Sequence, residues 1–260
     1  MDLGLQGKRA IVCASSKGLG FACAKALARE GASLVMNGRH PDALNRAAAA
    51  LREEVPGADI KTVVGDVTSE GVRTALVEAS GEPDILVNNA GGPPPGDFRK
   101  WSREAWIAAL DANLLSAVEL IRLVIDGMVR KKFGRIVNIT SAMVKSPRLP
   151  LGLSTAARAG LTAFCKALSI EVARDNVTIN NLLPERIETD RLRFMTEQLA
   201  RHRQLSVEQA RLEMLKPIAA RRFGQPSELA AACAFLCSAQ AGYITGQNLQ
   251  IDGGSYAGLI

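Results

Sequence analysis

The sequence predicts an α/β fold: one domain built on a doubly wound parallel sheet of about seven strands, with helices on both faces. Three observations carry that expectation. Short, continuous apolar runs alternate with longer helical patterns from end to end, as strands covered on both faces require. A glycine-bearing turn leads straight from the first run into the first helical stretch. No linker, low-complexity segment or internal repeat divides the 260 residues, an ordinary length for a single α/β domain.

Taken in order, the strands are expected at 9–13, 33–37, 61–65, 85–88, 135–140, 178–183 and 248–252. Between the first two, residues 19–30 carry Ala22, Ala26 and Leu27 as an apolar stripe, and Gly31 stands where the helix must stop. Strand, helix and strand repeated in this way give parallel pairing through right-handed crossovers. The exception is residues 188–220, a long polar insertion before the last helix and strand. It carries five arginines (Arg191, Arg193, Arg201, Arg203, Arg211), with Leu192, Met195, Leu199, Leu212 and Leu215 at roughly helical spacing. Ser206 and Gln209 suit a capping box for its second half. A helical insert near the carboxyl ends of strands is expected either to cover a ligand crevice as a lid or to pack as a solvated hairpin on the sheet edge.

Composition narrows the class. At 47% hydrophobic residues the chain can bury a large core. It has no apolar run long enough to span a bilayer and no basic-then-apolar signal segment over residues 1–10, so no membrane partner and a cytoplasmic location are expected. The cysteines are Cys13, Cys23, Cys165, Cys233 and Cys237, an odd number without paired spacing. With only His40 and His202 beside them, reduced buried thiols are expected and a metal site is not. Cys233 and Cys237, four apart in a helical stretch, should share one buried face. The formal charge of +6 is modest. It favours phosphorylated ligands, but no aromatic-studded basic groove argues for nucleic acid.

The chemistry begins at Cys13-Ala14-Ser15-Ser16-Lys17-Gly18-Leu19-Gly20. Gly18 and Gly20 let backbone approach a pyrophosphate, and the start of the following helix supplies amides and a positive dipole. At the end of the second strand, where NAD-binding versions of this arrangement place an acid, the chain has Asn37-Gly38-Arg39. A guanidinium suits a ribose 2′-phosphate, and Lys17 can reach toward the same group, so NADP (NADPH) is the expected cofactor.

Further motifs follow in order: Asp66-Val67, Asn88-Asn89-Ala90-Gly91, Trp106 with Asn113, Ser141, Ala159-Gly160-Leu161, Arg222-Phe223-Gly224-Gln225-Pro226, and Tyr243 to Gln247 continuing to Asp252-Gly253-Gly254. Together with the glycine turn they resemble the short-chain dehydrogenase/reductase family across nearly the whole chain. The resemblance implies a Rossmann fold over 1–260 with 188–220 as a helical substrate lid. It implies cofactor contacts from Ala14, Ser16, Lys17, Gly18, Leu19, Gly20, Arg39, Asp66, Val67, Asn89, Ala90, Gly91, Arg158, Pro184, Ile187 and Thr189. Ala14 holds the place of the family's first glycine, which is harmless provided its φ is negative.

For the catalytic positions the resemblance implies Asn113, Ser141, Ser154 and Arg158. In the family a Tyr protonates the carbonyl oxygen and a Lys tunes it. Those two positions are Ser154 and Arg158 here, and the chain's only tyrosines are Tyr243 and Tyr256, in the C-terminal segment. A serine hydroxyl is a poor acid and an arginine stays charged. Lys145 is a candidate substitute donor or a solvated loop charge. Glu185, where the family usually has glycine, is a replacement acid/base, a partner for Arg158, or a solvent-facing turn residue.

The implied function is an NADP-dependent oxidoreductase acting on a small-molecule carbonyl or alcohol, of the 3-oxoacyl thioester reductase type or acting on a sugar or small ketone, with an atypical proton donor. The alternative is an inactive NADP-binding pseudoenzyme or regulatory subunit. The family also implies a homo-oligomer, a dimer or tetramer, with residues 161–170 and 229–236 as candidate faces.

Overall fold

Each apolar run becomes a strand of one parallel sheet. The computed structural model describes residues 2–259, so the expected domain limits at Met1 and Ile260 lie outside the described residues. The strands are β1 (Arg9–Val12), β2 (Ser33–Gly38), β3 (Ile60–Val64), β4 (Ile85–Asn88), β5 (Gly134–Ile139), β6 (Val177–Pro184) and β7 (Asn248–Ile251). Their spatial order is β3-β2-β1-β4-β5-β6-β7, every pair parallel. The order reverses between β1 and β4, and the crevice beyond the carboxyl ends of those two strands is where doubly wound sheets bind ligands.

Nine α-helices connect the described strands: α1 (Gly18–Arg29), α2 (Pro41–Glu54), α3 (Glu70–Ser80), α4 (Arg103–Leu110), α5 (Ser116–Lys131), α6 (Gly152–Val172), α7 (Asp190–Arg203), α8 (Val207–Leu215) and α9 (Pro226–Cys237). Strand side chains alternate between two cores. Val12, Met36 and Val87 face α1, α2 and α9 through Leu27, Leu44 and Leu229. Ile11, Val35 and Leu86 face α3, α5 and α6 through Leu76, Leu120 and Leu161. Leu27 and Leu44 are fully buried, each stabilising the fold by about 2 kcal/mol through area removed from water. Gly31, at φ +79, stops α1 as expected. All five cysteines are free and buried, and Cys233 and Cys237 share the inner face of α9 with Cys23 in the same core.

The insertion folds as α7 and α8, and the capping box of Ser206 and Gln209 forms. Three residues of its expected apolar stripe hold, Leu192 buried in a small core with Leu199 and Leu215 packed against it, and Leu212 departs from it. Leu192, Met214, Ile218 and Phe223 make a small core of their own, whereas Leu212 is 54% exposed. The reason is the phase of α8: Ala210 and Met214 point inward, which turns Leu212 outward. Among the described residues no helix is long and apolar enough to cross a membrane.

Candidate active site

The glycine turn is sewn in place by its own Ser15, by Asn37 of β2 and by Asn89 just beyond β4. Ser15 is fully buried; its hydroxyl donates to the Val12 carbonyl (2.9 Å) and accepts from the Asn37 amide (3.0 Å). Asn37 accepts from the Ala14 amide at 3.3 Å and donates to the carbonyls of Val63 and Gly65. From the loop just after β4, Asn89 Nδ2 donates to the carbonyls of Cys13 and Ala14. A Cβ on Gly20 would lie 2.3 Å from the Ala14 oxygen and 2.8 Å from Asn89 Nδ2, so no other residue fits there. Lys17, the residue before α1, makes no side-chain cap, which leaves first-turn amides for an anion. Backbone amides at a tight Gly18–Gly20 turn fit a dinucleotide pyrophosphate.

Ala14 departs from the expected geometry: its φ is +45, so the proviso of a negative φ fails. The turn reverses the chain between β1 and α1 while its amide bonds Asn37, and that path requires the left-handed region. An alanine there is strained.

At the far end of the crevice, a Cβ on Gly38 would approach Ser16 at 3.2 Å, so the absence of an acid has a steric side as well. Arg39 is exposed and reaches Asp66 at 3.8 Å; Asp66 itself accepts from the amide and hydroxyl of Thr68. Lys17 does not join Arg39 in the structure. Its amine pairs with Asp190 at 3.3 Å, the first residue of α7, which Arg193 also holds. Asp190 is kept below the usual carboxylate range by Arg193 and then by Lys17.

The centre of the site is organised by a break in helical geometry. Residues Asp111–Leu115, between α4 and α5, form a π turn, a widening often found at functional positions. The Ser116 amide bonds Asp111, and its hydroxyl donates to the Ala112 carbonyl at 2.9 Å. The widened turn buries Asn113, whose Nδ2 donates to the Gly91 carbonyl at 3.3 Å.

Opposite it, Arg158 is 8% exposed. Nη1 donates to the carbonyls of Ile139 (2.7 Å) and Thr140 (3.0 Å), Nη2 to that of Ala90 (3.0 Å), and Nε to the Ser154 hydroxyl (3.0 Å). Burial, with the charge of Arg191 added, pushes its pKa down to about 10, so it remains cationic at neutral pH. Ser141, just beyond β5, accepts from the Met143 amide at 3.2 Å. Thus Arg158 pins Ser154 to the strand end that carries Ser141. A Cβ on Gly92 would lie 3.3 Å from the Ser154 hydroxyl, so the chain passes Ser154 closely.

The other expected residues are distributed as follows. Lys145 is not a free loop charge: its amine donates to Gln250 at 3.4 Å and lies 5.7 Å from the Tyr256 ring centre. Glu185 neither meets Arg158 nor faces solvent. Its side chain is 9% exposed, with Arg148 (3.2 Å), Arg186 (3.3 Å) and the Ser255 hydroxyl around it; three segments converge on that carboxylate. Pro184 ends β6, Ile187 packs on Gly224, and Thr189 caps α7 with its hydroxyl. Val67 is buried below the crevice, with Asn89, Ala90 and Gly91 on the loop after β4. Glu188 makes a two-pronged pair with Arg211, both contacts at 3.0 Å, joining the start of α7 to α8.

A family model described as enoyl-(acyl carrier protein) reductase matches residues 13–256. The chain belongs to the short-chain dehydrogenase/reductase family. A similar member is the 3-oxoacyl-(acyl-carrier-protein) reductase of Vibrio cholerae, 34% identical over 258 residues, which are 98% of this chain and 99% of that protein. An NADPH-dependent reductase of Bacillus subtilis is 31% identical over 252 residues, 95% of this chain and 97% of its own length. Among solved structures, L-sorbose reductase from Gluconobacter frateurii complexed with NADPH and L-sorbose superposes with a TM-score of 0.94 at 31% identity, covering all of both chains.

Within this short-chain reductase, one hub escaped sequence reading. Asn37 stands at the end of an apolar strand and binds the glycine turn on one side and β3 on the other. The only signal was an amide side chain in an otherwise buried run.

Proposed function

We propose that this short-chain oxidoreductase reduces carbonyl compounds with NADPH, of the 3-oxoacyl thioester, ketose or small-ketone class, through paired serine hydroxyls. The names of its relatives support the cofactor and the reaction direction. Gly18, Gly20 and the α1 amides would hold the pyrophosphate, with Arg39 and Ser16 at the 2′-phosphate. When bound, the dinucleotide supplies the hydride.

The observation that carries the reading is the Arg158-to-Ser154 bond. The chain is a divergent member in which the family's Tyr and Lys positions are Ser154 and Arg158. Since the Ser154 oxygen accepts from a guanidinium, its own proton is left for a substrate oxygen. Ser141 is in the same state, its oxygen accepting from the Met143 amide. Two such donors stabilise charge developing on a carbonyl oxygen. Neither is an acid at neutral pH, so the proton completing the alcohol comes from water. Lys145 and Glu185 are engaged elsewhere and play no part in that transfer. Residues 188–220 serve as the lid, and exposed Phe164 and Ile170 on α6 with Phe235 on α9 support assembly into a dimer or tetramer.

The test is single-turnover NADPH oxidation with a panel of 3-oxoacyl thioesters, ketoses and ketones. Ser141→Ala and Ser154→Ala should each slow the step by about 100-fold, as loss of one oxyanion donor does, with NADPH affinity unchanged. Tight NADPH binding with no turnover of any carbonyl would overturn the proposal and leave a nucleotide-binding subunit.

A further inference from the structure

The arginines of the α7–α8 insertion are not alike. Arg193 pairs with Asp190, Arg201 with Glu197 and Arg211 with Glu188. Arg203 lies in the last turn of α7, where the helix dipole favours a cation. Arg191 has neither support. It is the second residue of α7, at the end where the dipole opposes a cation, and the carboxylate beside it, Asp190, is taken by Lys17 and Arg193. Its Nη2 donates to the Pro93 carbonyl at 2.9 Å, on the loop after β4. Among the described residues that is its only acceptor, and its remaining N–H donors are open.

Arg158, on the inner side of the same loop, also lacks a counter-charge, since its acceptors are main-chain carbonyls and a hydroxyl. A Cβ on Gly92 would lie 3.3 Å from the Ser154 hydroxyl and 3.8 Å from Arg158 Nη2. Ser154 and Arg158 therefore flank Gly92, and Arg191 holds the next residue, whose Cα is about 3.8 Å further on. A Cβ on Gly91 would meet nothing within 4 Å, so the loop borders open space. The charge of Arg191 adds to burial in lowering the pKa of Arg158, and partial burial lowers that of Arg191 itself. Two cations partly withdrawn from water, with no acid between them, favour an anion in that space.

Resting on the reading that Ser141 and Ser154 face the carbonyl, we infer that Arg191 is a specificity-determining residue that binds a carboxylate carried by the substrate. The site then takes oxo acids in preference to their neutral counterparts. Arg191 grips the carboxylate from the α7 side through a guanidinium fork that matches its two oxygens, while Ser154, one loop residue away, holds the carbonyl oxygen. That spacing suits an acid whose carboxylate lies within a few bonds of the carbonyl, a 2- or 3-oxo acid. The dinucleotide phosphates would lie toward Gly18, where Thr189 Cγ2 stands 3.8 Å from a Cβ placed on that glycine. Arg191 instead reaches Pro93.

Equilibrium binding tests the site without turnover. Calorimetric titration of the NADP-loaded protein with a series of short 2- and 3-hydroxy acids and their methyl esters should show an acid binding about 30-fold more tightly than its ester. Arg191→Gln should abolish that difference and leave the affinities for the esters and for NADPH unchanged; Arg191→Lys should keep part of it. Equal binding of acid and ester by the unmodified protein, or binding of no acid in the series, overturns the inference. So does a loss of NADPH affinity in Arg191→Gln with the acid preference intact, which would assign Arg191 to the cofactor. Single-turnover NADPH oxidation with the matching oxo acids and esters separates this inference from the reaction it rests on. Acids that bind through Arg191 while no carbonyl is reduced would leave the carboxylate site standing and remove the reductase reading. Reduction of neutral ketones with no preference for acids would do the reverse.

Discussion

Arg158 donates from Nε to the hydroxyl of Ser154 one turn earlier on α6, at 3.0 Å, while its other nitrogens close on three main-chain carbonyls. A planar fork with five donors can satisfy those acceptors together, and an ammonium cannot. The residue therefore orders the ends of β4 and β5 as well as its serine neighbour.

Arg158→Met should lower the unfolding free energy by about 3 kcal/mol, because it leaves buried carbonyls without their donor. Arg158→Lys should fall between it and the unmodified protein. Urea denaturation monitored by tryptophan fluorescence measures both, and a loss below experimental error in the Met variant would show that the guanidinium does not order the strand ends.

Ala14→Gly should stabilise the protein by about 1 kcal/mol, since the strained left-handed alanine is replaced by the residue that tolerates φ +45. The shift in denaturant midpoint measures this. A decrease in stability would mean that the turn has a different backbone in solution.

Arg39→Asp should weaken NADPH binding by about 30-fold while changing NADH little, as expected for loss of one charged hydrogen bond. Lys17→Ala should affect the two cofactors nearly alike, because Lys17 is committed to Asp190 at 3.3 Å. Titrations followed by nicotinamide fluorescence separate the cases; equal losses for both cofactors in Arg39→Asp would remove the 2′-phosphate assignment.

The start of α9 should carry an acid-sensitive contribution to stability. Arg222, and after it the Gln225 amide, hold the Glu228 carboxyl down to about 2. A carboxyl depressed in the folded state stabilises fully above its ordinary value of 4.5 and loses that contribution as the pH falls from there through about 2. The difference in melting temperature between the unmodified protein and Glu228→Gln should be greatest near neutrality and vanish below pH ~2. A constant difference across that window would rule out the linkage.

Much of this architecture is legible in local sequence. The run at 85–88 matches β4, Gly31 stops α1, and Ser206 with Gln209 caps α8, because apolar periodicity, left-handed backbone and capping are decided within a few residues. The glycine turn and its place before α1 are legible for the same reason. Leu212 was not placed correctly, since its exposure depends on which face of a nine-residue helix the neighbouring core selects.

The sequence by itself thus determined the sheet, its helices and the types of residue at the crevice. Tertiary structure alone decided what those residues touch: Lys17 meets Asp190, Glu185 sits among Arg148, Arg186 and Ser255, and Asn88, Asn138, Asn181 and Asn248, each seeming a polar interruption in an apolar strand, join end to end. The physical reason is range. Strand and helix formation follow from neighbouring residues, whereas a buried polar group takes whichever partner the packing of distant segments brings within about 3 Å.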